Sequence, residues 1–168
     1  MGTQESHALV VVDMQRKFLA RAKRKRHTYY YPDAITTAGW NALVERIIRA
    51  IEICKTKQQP IVILEFDDFG PTDNKIKKAI GEYQKVFWCV KYCDDGSEEV
   101  FDVLPSINIF SVVGVNKKFC ISATAKGLAE KAKVNLLEDA IGDEHGDMGW
   151  GWYSQPANTE IVNVDAIA

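Results

Sequence analysis

The chain has 168 residues, of which 46% are hydrophobic and 26% charged, and its formal net charge is -2. A chain of this length and composition can bury one sizeable core, so residues 1–168 are expected to form a single domain. Because the net charge is small and slightly negative, it gives no general attraction to nucleic acid or to an anionic membrane, and neither is expected as a partner.

The sequence carries no sign of export or of a structural metal. No apolar run approaches the roughly 20 residues that span a bilayer, and the start, "MGTQESHA", lacks the positive and then apolar regions of a signal peptide. The cysteines are irregularly spaced, which is typical of reduced thiols rather than of a disulfide framework. With scattered histidines and no second cysteine pair, a structural zinc site is not expected. A cytoplasmic location is therefore expected.

The first part of the chain alternates strand and helix signals. The run "ALVVVDMQ" is continuously apolar up to Asp13, which is typical of a strand buried on both faces of a parallel sheet. Segment 33–57 predicts a helix, because its apolar residues recur at helical spacing. A second apolar strand, "QQPIVILEF", follows this helix.

The alternation continues to the end of the chain. A polar helix is predicted from Asn74 to Gly81 and another over "SEEVFDVL", and a third follows Cys120. Apolar strands are predicted at "KVFWCVK", "INIFSVVGV", "KVNLLEDA" and "EIVNV". Strands that alternate with helices and lack polar alternation indicate a three-layer α/β/α sandwich around a mostly parallel, doubly wound sheet of about six strands, which is a Rossmann-like arrangement.

Two stretches break this pattern. Residues 16–26 are rich in lysine and arginine and are expected to form an exposed loop or helix, more often a solvated surface than a patch for an acidic partner. Residues 142–156, rich in glycine, aspartate and tryptophan, are expected to form a loop. Its Trp150 and Trp152 would either cover the core or wall a pocket.

Three reactive side chains are predicted at the ends of strands. Asp13 closes the first strand, Lys91 closes "KVFWCVK", and Cys120 follows "INIFSVVGV" at the start of a helix. In an open parallel sheet, ligands bind outside the carboxyl ends of the strands, where these side chains would converge. The helix dipole and the Lys91 ammonium would lower the pKa of the Cys120 thiol, and Asp13 could act as a general base and acid.

Other interpretations remain open at this point. A lone cysteine near a strand end is more often a buried small hydrophobic residue than a nucleophile. A cysteine phosphatase is disfavoured because Lys126 stands where the phosphate loop needs an arginine fork. A nucleotide-binding module is disfavoured because "VVVDMQRKF" lacks glycine. A non-catalytic binding or scaffold protein on the same fold is the stronger rival.

Three blocks of the sequence, between about Ala8 and Val164, are "ALVVVDMQRKF", "CVKY" and "GVNKKFCISATAKGLAEKAKVNLLEDAIGD". Together they resemble the isochorismatase-like cysteine hydrolases, which include nicotinamidases and carbamoylsarcosine-type amidases. This resemblance implies an amidase-type hydrolase, of the class EC 3.5, that cleaves an amide or related C–N bond of a small molecule. The family is often dimeric or tetrameric, so the resemblance also implies a homo-oligomer.

The resemblance implies a role for each residue of the site. Asp13 would be the general base, Lys91 its charge partner and Cys120 the nucleophile that forms an acyl-enzyme. A non-proline cis peptide bond would precede Asn116. The N–H groups of Asn116 and Cys120 would form the oxyanion hole.

The sequence also departs from the family pattern. The segment "EFDDFGPTD" follows the second strand and has no histidine, whereas nicotinamidases carry an Asp-x-His metal motif there. No metal and no other cofactor is therefore expected. Phe18, Trp88 and Trp150 or Trp152 are expected to line an apolar pocket, and the basic residues near Arg16 would favour an anionic substrate.

Overall fold

A six-stranded parallel sheet forms the middle of the fold. The computed structural model describes residues 6–18, 37–142 and 155–168. Within them the strands follow the order β3-β2-β1-β4-β5-β6. Their bounds are His7–Val12 (β1), Ile61–Phe66 (β2), Val86–Lys91 (β3), Ile109–Gly114 (β4), Lys133–Ile141 (β5) and Thr159–Val162 (β6). This order confirms the predicted doubly wound topology.

Helices follow the strands as the sequence predicted. Their bounds are Thr37–Thr56 (α1), Asn74–Ile80 (α2), Ser97–Val103 (α3) and Ser122–Ala129 (α4). A π-helical turn at Lys117–Ile121 precedes α4, and a 3-10 turn at Val164–Ile167 follows β6. Of the helix predicted over residues 33–57, the first four residues lie outside the described part of the chain.

Two apolar clusters, one on each face of the sheet, give the fold its three layers. On one face, Leu9 and Val11 of β1 pack with the buried side of α1. On the other face, Val10 and Val12 pack with residues of α3 and α4. Because β1 is buried on both faces, its sequence is a continuous apolar run rather than an alternating one. The predicted α/β/α sandwich is thereby confirmed.

The strand order reverses direction between β1 and β4, which lie side by side at the centre of the sheet. The connections after β1 and after β4 therefore leave toward opposite edges, and a crevice opens between their carboxyl ends. Asp13 follows β1, and the segment that leads to Cys120 follows β4. The topology thus places both residues at the same crevice.

Some predicted features lie outside the described residues. These are residues 19–26 of the basic stretch and most of the glycine-rich stretch, with Trp150 and Trp152. Within residues 6–18, 37–142 and 155–168, no helix combines the length and the apolar character needed to cross a membrane.

Candidate active site

Asp13 lies in the turn that directly follows β1. Its φ angle of 53° is in the left-handed region, which aspartate adopts more readily than most residues. Its backbone N–H donates to the carbonyl oxygen of Leu64 at 3.0 Å, which holds the turn against β2. The side chain is fully buried.

Gln15 fixes the loop beside Asp13. Its Nε2 donates to the carbonyl oxygens of Phe66, at 3.0 Å, and Gly70, at 2.6 Å. Its Oε1 accepts the N–H of Phe66 at 2.8 Å. This buried amide therefore bonds the end of β1 to the loop after β2, and so keeps the turn at Asp13 in place.

Lys91 ends β3 and points into the same buried space. Its Nζ lies 3.1 Å from Asp13 Oδ2, and both side chains have no exposed surface. The ammonium also donates to the carbonyl oxygens of Cys93, at 3.0 Å, and Asp94, at 3.4 Å. It lies 4.4 Å from the centroid of the Phe66 ring, a cation–π distance. A buried charge is tolerated when it is paired and hydrogen-bonded, and Lys91 satisfies both conditions.

Gly114 allows β4 to close tightly against β1. Its φ angle is +120°, and a Cβ atom at this position would lie 2.1 Å from the carbonyl oxygen of Val12. The next N–H, of Val115, donates to that same oxygen at 3.1 Å. The peptide bond between Val115 and Asn116 is cis, as the family resemblance implies.

Cys120 lies within the π-helical turn rather than in the α-helix that follows it. The N–H groups of Phe119 and Ile121 both donate to the carbonyl oxygen of Asn116, at 3.1 Å each. Such π turns occur often at functional sites. The Cys120 side chain is buried, and its Sγ donates to Asp94 Oδ1 at 3.6 Å.

Burial and a neighbouring carboxylate keep Cys120 protonated. Burial raises the pKa of the thiol far above its ordinary value, the negative charge of Asp13 raises it further, and Lys91 lowers it by less. Lys91 acts on this pKa in the expected direction, but the expectation of a net lowered thiol pKa is wrong. Its physical reason is that desolvation and the carboxylate outweigh the ammonium. A thiol of this kind needs a base before it can attack.

Asp13 is the group that could remove the thiol proton. Burial raises the pKa of its carboxyl above the ordinary value, and the Lys91 ammonium only partly offsets this effect. The Lys91 ammonium and the Cys120 thiol both interact with this carboxylate, and each lowers its pKa by less than burial raises it. The carboxylate therefore lies where it can accept the thiol proton.

The backbone N–H of Asn116 faces no acceptor among the described residues. An oxyanion hole requires N–H groups without an internal acceptor, and within the described residues the Asn116 N–H meets this condition. The predicted pairing of the Asn116 and Cys120 N–H groups around an oxyanion therefore remains a prediction that this geometry permits.

The residues predicted to line an apolar pocket lie in different places. Phe18 is buried in the α1-side cluster and stacks on Phe69 with ring centroids 4.5 Å apart. Trp88 is 48% exposed. Successive residues of a strand point to opposite faces, so Trp88 shares the α1-side face with Val86, whereas Cys120 belongs to the opposite cluster. Trp150 lies outside the described residues.

The sequence interpretation missed two residues beside the thiol. Asp94 lies in the loop after β3 and contacts Cys120 directly. Phe119, which precedes Cys120, is 54% exposed although it is a large apolar residue. Their positions in the sequence could have indicated them, because both residues belong to segments that follow the carboxyl ends of strands, where ligands bind.

The acidic segment after β2 is partly engaged in hydrogen bonds. Glu65 Oε1 accepts the N–H of Thr72 at 2.8 Å and its hydroxyl at 2.7 Å. In the described part of the chain, no group of three or more histidine, cysteine, aspartate or glutamate side chains is arranged to hold a metal ion. A groove of about 360 Å³ runs beside this segment and is lined partly by Asp67 and Asp68.

Comparisons with known proteins identify the fold. No protein-family model and no curated protein matches the sequence. The structure of N-carbamoylsarcosine amidase from Thermoplasma acidophilum matches with a TM-score of 0.70 and 17% identity, over 95% of this chain and 97% of that one. The nicotinamidase from Staphylococcus aureus matches with a TM-score of 0.61 and 18% identity, over 83% and 84%. An isochorismatase from Pseudomonas putida KT2440 matches with a TM-score of 0.59 and 13% identity, over 84% and 74%. The chain therefore has the isochorismatase-like fold.

Proposed function

We propose that this chain, which has the isochorismatase-like fold, is a cysteine hydrolase that cleaves an amide or related C–N bond of a small molecule. Cys120 is the nucleophile, Asp13 the general base and acid, and Lys91 the charge partner of Asp13. The proposed reaction uses no metal and no other cofactor. The whole chain, residues 1–168, acts as one hydrolase domain.

The proposal depends above all on one observation. Asp13, Lys91 and Cys120 come from three separate strand ends and meet in one buried cluster, with Asp13 and Lys91 3.1 Å apart. Burying two charges and a thiol is costly, so such a cluster is more often found where chemistry requires it. The same residues occupy the positions that the family resemblance implies.

Acylation begins with the protonated thiol. As Sγ attacks the carbonyl carbon, the thiol proton passes to Asp13, and the carbonyl oxygen becomes an oxyanion that the Asn116 and Cys120 N–H groups can bind. The proton then moves from Asp13 to the leaving nitrogen, the C–N bond breaks, and ammonia or an amine departs. The acyl group stays on Cys120 as a thioester.

Deacylation uses the same residues in reverse. Asp13 removes a proton from water, the hydroxide oxygen attacks the thioester carbon, and the oxyanion forms again in the same place. When the C–S bond breaks, the sulfur regains the proton from Asp13 and the carboxylic acid leaves. Throughout the cycle the Lys91 ammonium keeps the buried carboxylate paired whenever it is ionised.

The acyl-enzyme provides the experiment. The protein is mixed with small primary amides and ureido compounds, quenched in acid, and digested for peptide mass spectrometry. We expect the Cys120 peptide to gain the mass of the acyl group, and hydroxylamine to remove it. Product formation without this adduct, together with full activity of Cys120→Ala, would refute the mechanism.

The alternative is a catalytically inactive binding or scaffold protein with the same fold. The Cys120 thiol is buried and its pKa is raised, and structural thiols of this kind are usually inert, which favours this alternative. Thiol labelling separates the two possibilities. A Cys120 that reacts faster than the buried Cys54, and that responds to Asp13→Asn, supports the enzyme.

We also propose a cytoplasmic homo-oligomer, a dimer or tetramer. In the described sheet β3 is an edge strand; its Trp88 and Val90 are exposed, and so is Tyr92, which follows the strand. An apolar row on a sheet edge is a surface that a second copy can cover. Light scattering would measure the mass in solution, and a monomer of 18.9 kDa would contradict the proposed assembly.

A further inference from the structure

Asp94 is an exposed carboxylate that contacts the Cys120 sulfur. Its Oδ1 lies 3.6 Å from Cys120 Sγ, and Asp94 itself is exposed. A carbonyl carbon that approaches the sulfur begins about 3 to 3.5 Å away. A group attached to that carbon on the Asp94 side of the sulfur would therefore lie near the Asp94 carboxylate.

The loop that carries Asp94 is anchored on two sides. The carbonyl oxygen of Asp94 accepts hydrogen bonds from Lys91 Nζ, at 3.4 Å, and from Thr124 Oγ1, at 3.3 Å. The next peptide, at Gly96, donates its N–H to the same hydroxyl at 3.0 Å. Since Thr124 belongs to the helix after Cys120, the loop and the nucleophile are held to one element. The contact between Asp94 and the thiol is therefore built into the backbone.

Among Asp13, Lys91 and Asp94, the charges do not cancel. Lys91 and Asp13 form a buried pair of opposite sign. Asp94 adds a second carboxylate, and Lys91 Nζ contacts only its backbone oxygen. Burial is the main cause that raises the pKa of Asp13, and the negative charge of Asp94 adds to it. Of these three residues, Asp94 is the one whose side chain is not paired with a cation among them.

We propose that Asp94 is a specificity residue that selects small amides with a cationic group or N–H donors beside the scissile bond, and that disfavours anionic ones. This inference rests on the proposed function, and it replaces the expectation that the basic residues near Arg16 favour an anionic substrate. The carboxylate accepts hydrogen bonds from the substrate N–H groups and attracts a positive charge. A substrate carboxylate in the same place would be repelled.

Charged thiol reagents test this proposal without requiring hydrolysis. Cys120 is labelled with the cationic 2-aminoethyl, the neutral methyl and the anionic 2-sulfonatoethyl methanethiosulfonates, at low salt, and quantified by peptide mass spectrometry. A Cys93→Ser background prevents labelling beside Asp94. The variant is Asp94→Asn, which keeps the shape and removes the charge. Asp102→Asn, which removes an exposed carboxylate from α3, is the matched control.

We expect the cationic reagent to label Cys120 faster than the anionic one, and Asp94→Asn to reduce this rate ratio roughly tenfold. Asp102→Asn should leave the ratio unchanged. If Asp94→Asn has the same ratio of cationic to anionic labelling rates as the protein with Asp94, the proposal is overturned. Failure of all three reagents to label Cys120 would also overturn it. Hydrolysis of the cationic glycinamide and the anionic malonamate separates the two proposals. If neither amide is hydrolysed but the cationic reagent still labels Cys120 faster, the hydrolase is rejected and the role of Asp94 is not. If an amide is hydrolysed but labelling shows no charge preference, the role of Asp94 is rejected and the hydrolase is not.

Discussion

Lys91 Nζ lies 3.1 Å from Asp13 Oδ2, and neither side chain reaches solvent. The two residues end β3 and follow β1, two strands that are separated by β2 in the sheet. Their contact crosses the carboxyl end of β2 and connects three strands. It also places the pair next to Cys120, whose thiol pKa the Asp13 charge raises and Lys91 lowers.

Removal of Lys91 should destabilise the protein. The change Lys91→Met leaves the Asp13 carboxylate buried without its partner, and breaking a buried ion pair in this way costs about 3 to 5 kcal/mol. Urea unfolding would measure the loss, with Lys126→Met as the exposed lysine control. Adding Asp13→Asn should recover part of it. Equal stability of the Lys91 and Lys126 variants would show that the pair is not coupled.

The reactivity of Cys120 should report on Asp13. Because burial and the Asp13 charge raise the thiol pKa, iodoacetamide alkylation of Cys120 should still increase above about pH 10, where a free cysteine of pKa about 8.5 has levelled off. Asp13→Asn removes the negative charge and leaves Lys91, so it should shift this profile to lower pH. Cys54, whose pKa burial raises to about 12, is an internal control that should not respond. A wild-type profile that levels off below pH 8 would contradict this description of the site.

On acidification, the rate of hydrolysis should begin to fall at a higher pH than the ordinary pKa of an aspartate would give. The base must be ionised, and burial raises the pKa of Asp13 above 3.8, so kcat/KM should fall as the pH drops through this raised value. Because the Asp94 charge contributes to the increase, Asp94→Asn should move the acid limb to lower pH. Asp13→Asn should remove the limb and lower kcat/KM by about 10²–10⁴-fold. If Asp13→Asn keeps the same acid limb in its pH profile of kcat/KM, the limb belongs to another titrating group.

Gly114 should tolerate no side chain. In Gly114→Ala the new Cβ would lie 2.1 Å from the Val12 carbonyl oxygen, so β4 would have to move away from β1. Gly70 also has a positive φ, but a Cβ there meets nothing within 4 Å, which makes Gly70→Ala the matched control. Thermal or urea unfolding should show Gly114→Ala to be the less stable variant by about 2 kcal/mol or more. Equal stability would mean that the strand ends can separate freely.

The sequence predicted the fold because its strands are continuous apolar runs separated by periodic helices. β1 is the clearest case, since burial on both faces removes every polar residue between Ala8 and Val12. The same logic located Asp13, Lys91 and Cys120, because residues at the carboxyl ends of parallel strands converge. The sequence also allowed the face of Trp88 to be predicted. Successive strand residues point to opposite faces, and Trp88 and Lys91 are an odd number of positions apart, so they face opposite sides of the sheet.

The sequence could not predict the protonation state of Cys120 or the part played by Asp94. The thiol pKa depends on how deeply the sulfur is buried and on whether Asp13 or Lys91 affects it more, and both are properties of packing. Asp94 reaches the thiol from a loop that Thr124 and Lys91 hold by hydrogen bonds to its carbonyl oxygen. Nothing in the letters "CDDGS" distinguishes Asp94 from Asp95, which instead accepts the N–H of Ser97.

Ammonia release is the most direct measurement of the central claim, that Cys120 is the nucleophile of a hydrolase. Wild type, Cys120→Ala and Cys54→Ala are each assayed on the same panel of primary amides and ureido compounds. We expect wild type and Cys54→Ala to release ammonia from at least one compound at equal rates, and Cys120→Ala to release none above the uncatalysed rate. Equal release by Cys120→Ala, or no release by wild type from any compound of the panel, would contradict the claim.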